Sequence, residues 1–158
     1  MGYWLIKSEA DCYSIDDLKR DKKTSWTGVR NYQARNFMRD HMKVGDLVLY
    51  YHSNGTTSIP TGIHGIAKVV SKAHADETQF DPDDDHYDPK SKKESPTWMC
   101  VDVGFVSKFN ALITLAELKH DPNLKGLMVT AVGSRLSVQP VSETHFAYIT
   151  TQLVIRKQ

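Results

Sequence analysis

Leu47-Val48-Leu49-Tyr50-Tyr51-His52 is the stretch that decides the fold, because strand-favouring residues follow one another there almost without interruption. It predicts a central strand of a β-sheet. Asn54-Gly55 follows closely and favours a backbone with positive φ, which ends the strand in a turn. The loop from Ser53 to Thr61 is therefore predicted to join this strand to a long partner strand from Gly62 to Val70.

One strand and one short helix are predicted near the beginning of the chain. Tyr3-Trp4-Leu5-Ile6 is a short run of aromatic and aliphatic residues that predicts a buried first strand, ending at the polar Lys7-Ser8-Glu9. Ser14 and Asp17 have the spacing of a capping box, in which each side chain hydrogen-bonds the backbone of the other residue. They predict the start of a short helix.

A second helix is predicted from Asn31 to Met42, where apolar residues recur at helical spacing. The recurring positions are Ala34, Phe37, Met38 and His41. Arg35 and Arg39 fall on the opposite side of this helix. The pattern therefore places Phe37 and Met38 in the core.

The second half of the chain predicts two further strands and a short helix. Apolar residues alternate from Trp98 to Val106, which predicts a half-exposed strand. Thr114 and Glu117 form another capping box, so a helix should begin there and end before Asp121-Pro122. A second alternating stretch, Arg135 to Val138, predicts the last strand.

Ser142 is the predicted N-cap of a final helix, with Val141 and Phe146 placed to form a hydrophobic staple. The chain thus has about five strands interrupted by short helices, without regular alternation of strand and helix. This order favours an α+β barrel over a doubly wound sheet.

Length and composition predict one domain over residues 1–158, since a chain of this size with 40% hydrophobic residues can bury one core. No apolar stretch approaches the roughly 20 residues of a membrane helix, and the N-terminus lacks a signal-peptide pattern. We expect no membrane association, a monomer, and a cytoplasmic location, or a nuclear one in a eukaryote. Cys12 and Cys100 have no CxxC spacing, so neither a disulfide nor a zinc site is implied, and both are expected to be buried or half-buried.

Charge is distributed unevenly along the chain. Seven of the nineteen acidic residues fall between Asp76 and Asp88, where there is no Lys or Arg. The remainder is basic, which is compatible with a polyanionic partner but equally with simple solubility. An EF-hand counted from Asp81 would need Gly at His86 and Glu at Lys92, so we expect a solvated loop and no metal site.

Catalytic fingerprints are missing from the sequence. It contains no P-loop, no GxGxxG and no HExxH, and Ser53 after His52 lacks the GxSxG context of a nucleophile elbow. We therefore expect a protein that is not an enzyme and has no cofactor.

Residues 26–37 combine Trp26 with Gly, Arg and Asn at the entrance of the second predicted helix. An indole offers a surface on which a base can stack, while Arg30 and helix N-terminal amides can donate to phosphate or carbonyl oxygens. The alternative is that Trp26 and Tyr32 simply cover the core. If Trp26 belongs to a binding pocket, Trp26→Ala should weaken binding and leave the fold intact.

Several of these segments, in the same order along the chain, resemble the signature of the EVE domain family. The segments are residues 3–9, 26–37, 51–54, 88–91, 96–98 and 135–142. Together they span nearly the whole chain. The resemblance implies a PUA-like β-barrel of about five or six strands with short helices packed around it.

EVE domains are similar to YTH domains, which hold a methylated base in an aromatic cage, and they look like readers of modified bases in DNA or RNA. The resemblance thus implies a non-catalytic nucleic-acid-binding module. Its expected base-binding and phosphate-binding residues are Lys7, Ser8, Trp26, Gly28, Val29, Arg30, Asn31, Tyr32, Arg35, His52, Ser53, Arg135 and Ser137. A nucleotide-processing enzyme, a protein-interaction adaptor and a pocket for a small anionic ligand remain alternatives.

Overall fold

The computed structural model describes residues 1–9, 12–55, 60–133 and 135–156, and the strands and helices below lie within these ranges. The strands are β1 (Tyr3–Glu9), β2 (Lys23–Ser25), β3 (Leu47–Ser53), β4 (Gly62–Val69), β5 (His74–Ala75), β6 (Met99–Cys100), β7 (Asp102–Thr114) and β8 (Val138–Pro140). The α-helices are α1 (Ile15–Asp21), α2 (Tyr32–Asn36), α3 (Leu115–His120), α4 (Glu143–Tyr148) and α5 (Val154–Arg156).

Several short helical segments connect or extend these elements. A π-helical turn, Phe37–His41, continues α2, and a second one, Ile149–Leu153, joins α4 to α5. Three single 3₁₀ turns cover Glu77–Phe80, Pro122–Leu124 and Met128–Thr130. No helix among the described residues is long and apolar enough to cross a membrane.

Six strands form a curled half-barrel sheet in the order β2-β7-β4-β3-β1-β8. β1 runs parallel to β3, whereas the other neighbouring strands are antiparallel. The pairing of β3 with β4 shifts register between Tyr50 and Tyr51, and β4 against β7 shifts twice more. Such bulges increase local twist, which helps the sheet to curl. The α+β class is confirmed, and β3 is central as predicted.

Both faces of the central strands are buried. Trp4 and Ile6 of β1 pack with the residues of α1 and α2, whereas Leu5 between them packs with those of α3 and α4. In β3, Tyr50 packs with the first group and Tyr51 with the second. A strand covered on both faces needs apolar residues at consecutive positions, which explains why these two segments do not alternate.

Local signals at the helix starts are confirmed. Ser14 with Asp17 and Thr114 with Glu117 both form complete capping boxes. The Ser142 side chain accepts a hydrogen bond from the N–H of His145, as expected of an N-cap. The predicted loop from Ser53 to Thr61 lies partly outside the described residues.

Three predictions about secondary structure need correction. The strand predicted as half-exposed from Trp98 to Val106 is buried on both faces, since Trp98, Cys100 and Gly104 are buried as well as Val101. The segment is divided into two strands, since β6 pairs with β5 in a separate two-stranded sheet and β7 starts at Asp102 and continues to Thr114. The last strand starts at Val138 rather than Arg135.

The helix after Asn31 also differs from its prediction at one position. His41 is exposed although the helical spacing placed it beside Phe37 and Met38. The π-helical turn is wider than an α-helical one and rotates the following residues around the helix axis. Met38 itself is fully buried, as predicted.

Candidate functional site

A cavity of about 390 Å³, here called the Trp26 cavity, lies between β1, β2 and the segment that leads into α2. This volume is within the range of roughly 300–1,000 Å³ found for small-ligand sites. Its lining residues are Lys7, Ser8, Cys12, Tyr13, Thr24, Ser25, Trp26, Thr27, Gly28, Val29, Arg30, His86 and Ser137. Seven of the predicted site residues therefore meet here.

Trp26 belongs both to the core and to the cavity wall. It is 8% exposed, its N–H donates to the carbonyl of Val101, and its ring packs edge-on against Tyr50 at 5.5 Å. Its indole N–H finds no acceptor among the described residues. Trp26 therefore contributes to the core and also lines the cavity. The expectation that Trp26→Ala leaves the fold intact does not fit this packing.

Ser8 links β1 to Tyr13 through its side chain. Its Oγ donates to the carbonyl oxygen of Tyr13 at 2.8 Å, and the hydroxyl of Tyr50 donates to the same oxygen at 2.7 Å. Burial raises the pKa of Tyr50 well above its ordinary value. These two bonds connect Tyr13, which lines the cavity, to β1 and to the central strand β3.

Asp76 anchors the lip of the cavity. Its Oδ2 accepts hydrogen bonds from the N–H of Gly28 at 2.8 Å and from Nη1 of Arg30 at 3.0 Å. Burial alone would raise the pKa of Asp76, but hydrogen bonds from Thr78, Gly28 and Arg30 hold it below its ordinary range. Asp76 is 1% exposed, so the acidic segment is not solvated throughout as predicted.

The other end of the acidic segment is anchored as well. The carboxylate of Asp88 accepts a hydrogen bond from Nε1 of Trp98 at 2.8 Å. Between the two anchors, Asp81 accepts from the N–H of Asp83, and Asp84 accepts from the N–H of His86. Among the described residues, no group of three His, Cys, Asp or Glu side chains could hold a metal ion.

Arg30 connects the cavity lip to this acidic segment. Its guanidinium donates to the carbonyl oxygen of His86 at 2.8 and 3.0 Å and to Oγ1 of Thr78 at 3.0 Å, and it lies over the ring of Trp98. With the bond to Asp76, all three of its nitrogens have protein partners. Arg30 thus links the cavity lip to the acidic segment, and its expected contact with a phosphate stays a prediction.

Gly28 and His86 are in close contact at the cavity mouth. Gly28 has φ +86°, and a Cβ at this position would lie 3.0 Å from the imidazole of His86. The backbone angle therefore favours glycine, and a Cβ would in addition require the His86 ring to shift. Val29 follows as a buried part of the wall.

Three predicted site residues lie beside the cavity and do not line it. Asn31 is the N-cap of α2, and its side chain accepts from the N–H of Ala34 at 3.0 Å. Tyr32 is 61% exposed and stacks on Trp98, with ring centroids 4.9 Å apart. Arg35 lies over the Tyr32 ring, and its Nη1 donates to a backbone carbonyl at 2.9 Å.

A second depression of about 560 Å³, here called the Arg135 groove, adjoins the first. Its lining residues are Lys7, Tyr51, Ser53, Asn54, Gly55, Thr61, Leu115, Lys119, Val129, Ala131, Val132, Gly133 and Arg135. Two predicted residues, Ser53 and Arg135, lie here instead of in the Trp26 cavity. Lys7 lines both depressions, and burial lowers the pKa of its amine.

His52 lies in neither depression. It is fully buried in a separate cavity of about 180 Å³, where its ring centroid is 4.3 Å from that of His64. Its Nε2 accepts from the N–H of Ile15, and its Nδ1 has no hydrogen-bond partner among the described residues. Burial, and secondly His64, lower the pKa of His52 to about 4. Its expected place in the base pocket is wrong because its side chain packs against α1.

Some cavity residues carry no signal in the sequence. His86 comes from the acidic segment, 56 residues from Arg30, and only the hydrogen bonds to its carbonyl bring it to the mouth. Tyr13 carries no pattern that distinguishes it from a surface aromatic. Cys12 was expected to be buried or half-buried, but it is exposed at the cavity, whereas Cys100 is buried.

Cys100, His74 and Asp102 have the residue types of a nucleophilic triad. The His74 Nε2 lies 2.7 Å from the carboxylate of Asp102, and the Cys100 Sγ lies 3.8 Å from both ring nitrogens. Equal distances to the two nitrogens place the sulfur against the ring face. Burial raises the pKa of Cys100 to about 12, so its thiol stays protonated at neutral pH. This arrangement does not provide a thiolate nucleophile.

Comparison with known proteins identifies close relatives. A family model described as the EVE domain matches residues 2–152. Human thymocyte nuclear protein 1 is 43% identical over 167 residues, which cover 94% of this chain and 72% of that protein.

Solved structures give the same result. A hypothetical protein from Leishmania major superposes with a TM-score of 0.91 at 46% identity, covering 100% of this chain and 98% of that one. The human THYN1 protein in complex with 5-methylcytosine-containing DNA superposes with a TM-score of 0.85 at 41% identity, covering 94% and 95%. The matches support the α+β, PUA-like half-barrel predicted from the sequence.

Proposed function

The chain belongs to the EVE domain family, and we propose on this basis that it binds DNA and holds one modified cytosine base in the Trp26 cavity. The observation that carries the proposal is the human relative, which at 41% identity and a TM-score of 0.85 was crystallised with 5-methylcytosine-containing DNA. The alignment covers 94% of this chain, so this chain shares the fold of that DNA-bound relative.

The composition of the cavity supports a base as ligand. A flipped base presents a flat apolar surface and a polar edge, so its pocket needs both kinds of contact. Trp26 and Val29 supply apolar wall, while the indole N–H of Trp26 is unused by the described residues. The hydroxyls of Thr27 and Ser137 likewise have no hydrogen-bond partner among them and could contact the edge of the base.

The methyl group of a modified cytosine adds little affinity by itself. Burying one carbon beside Trp26 and Val29 contributes about 0.8 kcal/mol, which is less than tenfold. Leaving a buried polar group unpaired costs about 1–3 kcal/mol, so edge contacts can extend the discrimination further. We expect a preference between a few-fold and a few hundred-fold for the modified base.

We propose that the module binds without catalysis. The Oγ of Ser8 donates its proton to the carbonyl of Tyr13 at 2.8 Å, whereas a nucleophilic serine needs a base that removes this proton. His86, the histidine at the cavity mouth, lies 3.1 Å from the Asp84 carboxylate through Nδ1. A carboxylate at Nδ1 can orient a histidine base, but the Ser8 hydroxyl proton that such a base would remove is already donated to Tyr13.

A titration with matched oligonucleotides tests the proposal. Duplex and single-stranded DNA that differ only in one cytosine or 5-methylcytosine are titrated by calorimetry or fluorescence anisotropy, with RNA of the same sequence alongside. Tighter binding of the methylated DNA supports the proposal. Equal affinity across a panel of modified cytosines and adenines contradicts it, and release of a cleaved or altered nucleotide would instead indicate an enzyme.

A further inference from the structure

We propose that the Arg135 groove binds the sugar-phosphate backbone of the DNA strand whose base enters the Trp26 cavity, with Lys119 and Arg135 contacting its phosphates. This inference rests on the proposed function and extends it from one base to the neighbouring nucleotides. It assigns a binding role to Lys119 and to the 131–133 loop. Neither was predicted from the sequence to bind a ligand.

The charge of the groove supports an anionic ligand. Three cations line it, Lys7, Lys119 and Arg135, and no Asp or Glu occurs among the described residues of its lining. Within the part of the chain that the structure describes, Lys119 and Arg135 form no hydrogen bond or ion pair. Two uncompensated cations, Lys119 and Arg135, attract a polyanion, which releases its counterions on binding.

Four other basic residues of the protein are paired with carboxylates. Arg20, Arg30, Arg39 and Lys108 each lie within 3.0 Å of a carboxylate oxygen. Glu117, which shares helix α3 with Lys119, accepts a hydrogen bond from the N–H of Thr114 in the capping box. Lys119 and Arg135 differ from these four residues because no carboxylate of the described residues pairs with them.

The groove adjoins the Trp26 cavity. Lys7 lines both, and its N–H donates to the carbonyl of Ser137 at 2.9 Å. Arg135 lines the groove and Ser137 lines the cavity, only two residues apart in the sequence and hence at most about 7 Å along the chain. A strand that places a base beside Ser137 brings its adjacent phosphates to Arg135.

The groove wall also suits a sugar. Val132, at the tip of the loop between the last 3₁₀ turn and β8, is 99% exposed, and Leu115 and Val129 line the same depression. A completely exposed aliphatic side chain next to uncompensated cations offers apolar contact to deoxyribose. Its exposure also means that it can be replaced without disturbing the core.

Two pairs of matched variants test the inference by titration with single-stranded DNA carrying one 5-methylcytosine. The first pair compares Lys119→Gln/Arg135→Gln with Lys43→Gln/Lys68→Gln, which removes equal charge near the opposite end of β3, where Lys68 pairs with Leu47. The groove double variant should bind roughly tenfold or more weakly. The slope of log K against log salt should fall by about 1.4, since each phosphate contact contributes about 0.7. The control should change both quantities little.

The second pair introduces a negative charge at an exposed valine. Val132→Glu lies in the groove, and Val44→Glu lies at 60% exposure in the turn before β3. Val132→Glu should weaken binding several-fold with an unchanged thermal transition, whereas Val44→Glu should leave binding unaltered.

The outcomes separate the two proposals. Weaker binding by the groove variants, with the ratio of methylated to unmethylated affinity retained, supports the groove. If the wild-type chain prefers methylated DNA but both groove variants match their controls, the groove inference is overturned and the proposed function stands. Weakening in the groove variants without any methyl preference in the wild type supports the groove and contradicts the base pocket. No DNA binding by the wild type overturns both.

Discussion

Nη1 of Arg30 lies 3.0 Å from Oδ2 of Asp76, and these two residues, 46 apart in the sequence, join the lip of the Trp26 cavity to the acidic segment. The Asp76 side chain is 2% exposed and that of Arg30 is 22% exposed. The same carboxylate oxygen also holds the N–H of Gly28. Cavity shape and acidic segment are therefore coupled through one buried ion pair.

Asp76→Asn should destabilise the protein strongly. Removing one partner of a buried pair leaves the other charge uncompensated, at a cost of about 3 kcal/mol or more. Urea denaturation measures this loss of unfolding free energy. The matched control, Asp40→Asn, removes a carboxylate from the exposed pair with Arg39 and should change little. Equal effects of the two variants would show that the Asp76 pair has no special structural role.

Gly28→Ala should lower both stability and DNA affinity. The new Cβ combines a positive φ with a 3.0 Å approach to the His86 ring. The backbone conformation alone costs about 1–2 kcal/mol. Gly45→Ala is the matched control, because Gly45 has φ +97° but nothing within 4 Å of a Cβ. The difference between the two thermal transitions isolates the His86 contact, and a DNA affinity that falls only for Gly28→Ala would place that contact at the binding site.

Trp26→Ala should destabilise the fold, contrary to the expectation from sequence. A large-to-small change at a core aromatic costs about 3–5 kcal/mol, and Trp26 is 8% exposed against Tyr50. Trp26→Phe keeps an aromatic ring and removes the indole N–H, so it should stay folded and lose part of its preference for methylated DNA. Chemical denaturation and the matched-oligonucleotide titration measure the two effects. An unchanged preference would exclude the indole N–H as a contact to the base.

Stability should decline on mild acidification because of His52. Its pKa is about 4 in the folded chain against an ordinary value of 6.5, so between these values the unfolded chain binds a proton that the folded chain does not. The contribution is complete above about pH 6.5 and is lost as the pH falls towards 4. The unfolding free energy should fall by up to about 1.4 kcal/mol per pH unit there. His64, whose pKa burial also lowers, adds to this decline.

His52→Gln tests the assignment of that decline, with His41→Gln as the control at an exposed histidine. Denaturation at several pH values should show a flatter profile for His52→Gln, whatever its absolute stability, and the wild-type profile for His41→Gln. Identical slopes in all three proteins would assign the acid sensitivity to other groups. The carboxylates of Asp46 and Asp76 act at lower pH, because their hydrogen bonds hold their pKa values below the ordinary range.

The sequence by itself determined the local elements. The two capping boxes, the N-cap at Ser142 and the strand pair from Leu47 to Val70 depend on residues within a few positions of each other, so their patterns are visible in the chain. Resemblance to the EVE family added a PUA-like β-barrel and a set of site residues, seven of which the fold brings together in one cavity. These include Lys7, Trp26 and Ser137.

Only the tertiary structure decided which of the predicted site residues lie in the Trp26 cavity, which lie in the Arg135 groove and which lie elsewhere. Parallel pairing of β1 with β3 spans 44 residues, and it sets where Ser8 and His52 lie. Strand order and the bulges between strands result from packing of the whole sheet, so no local pattern specifies them. For this reason His52, which was predicted in the pocket, lies in another cavity. Arg135 lines the groove, whereas Ser137 lines the Trp26 cavity. Arg30 forms its ion pair with Asp76. Charge and residue type were visible in the sequence, but the partner of each charge depended on contacts that only folding creates.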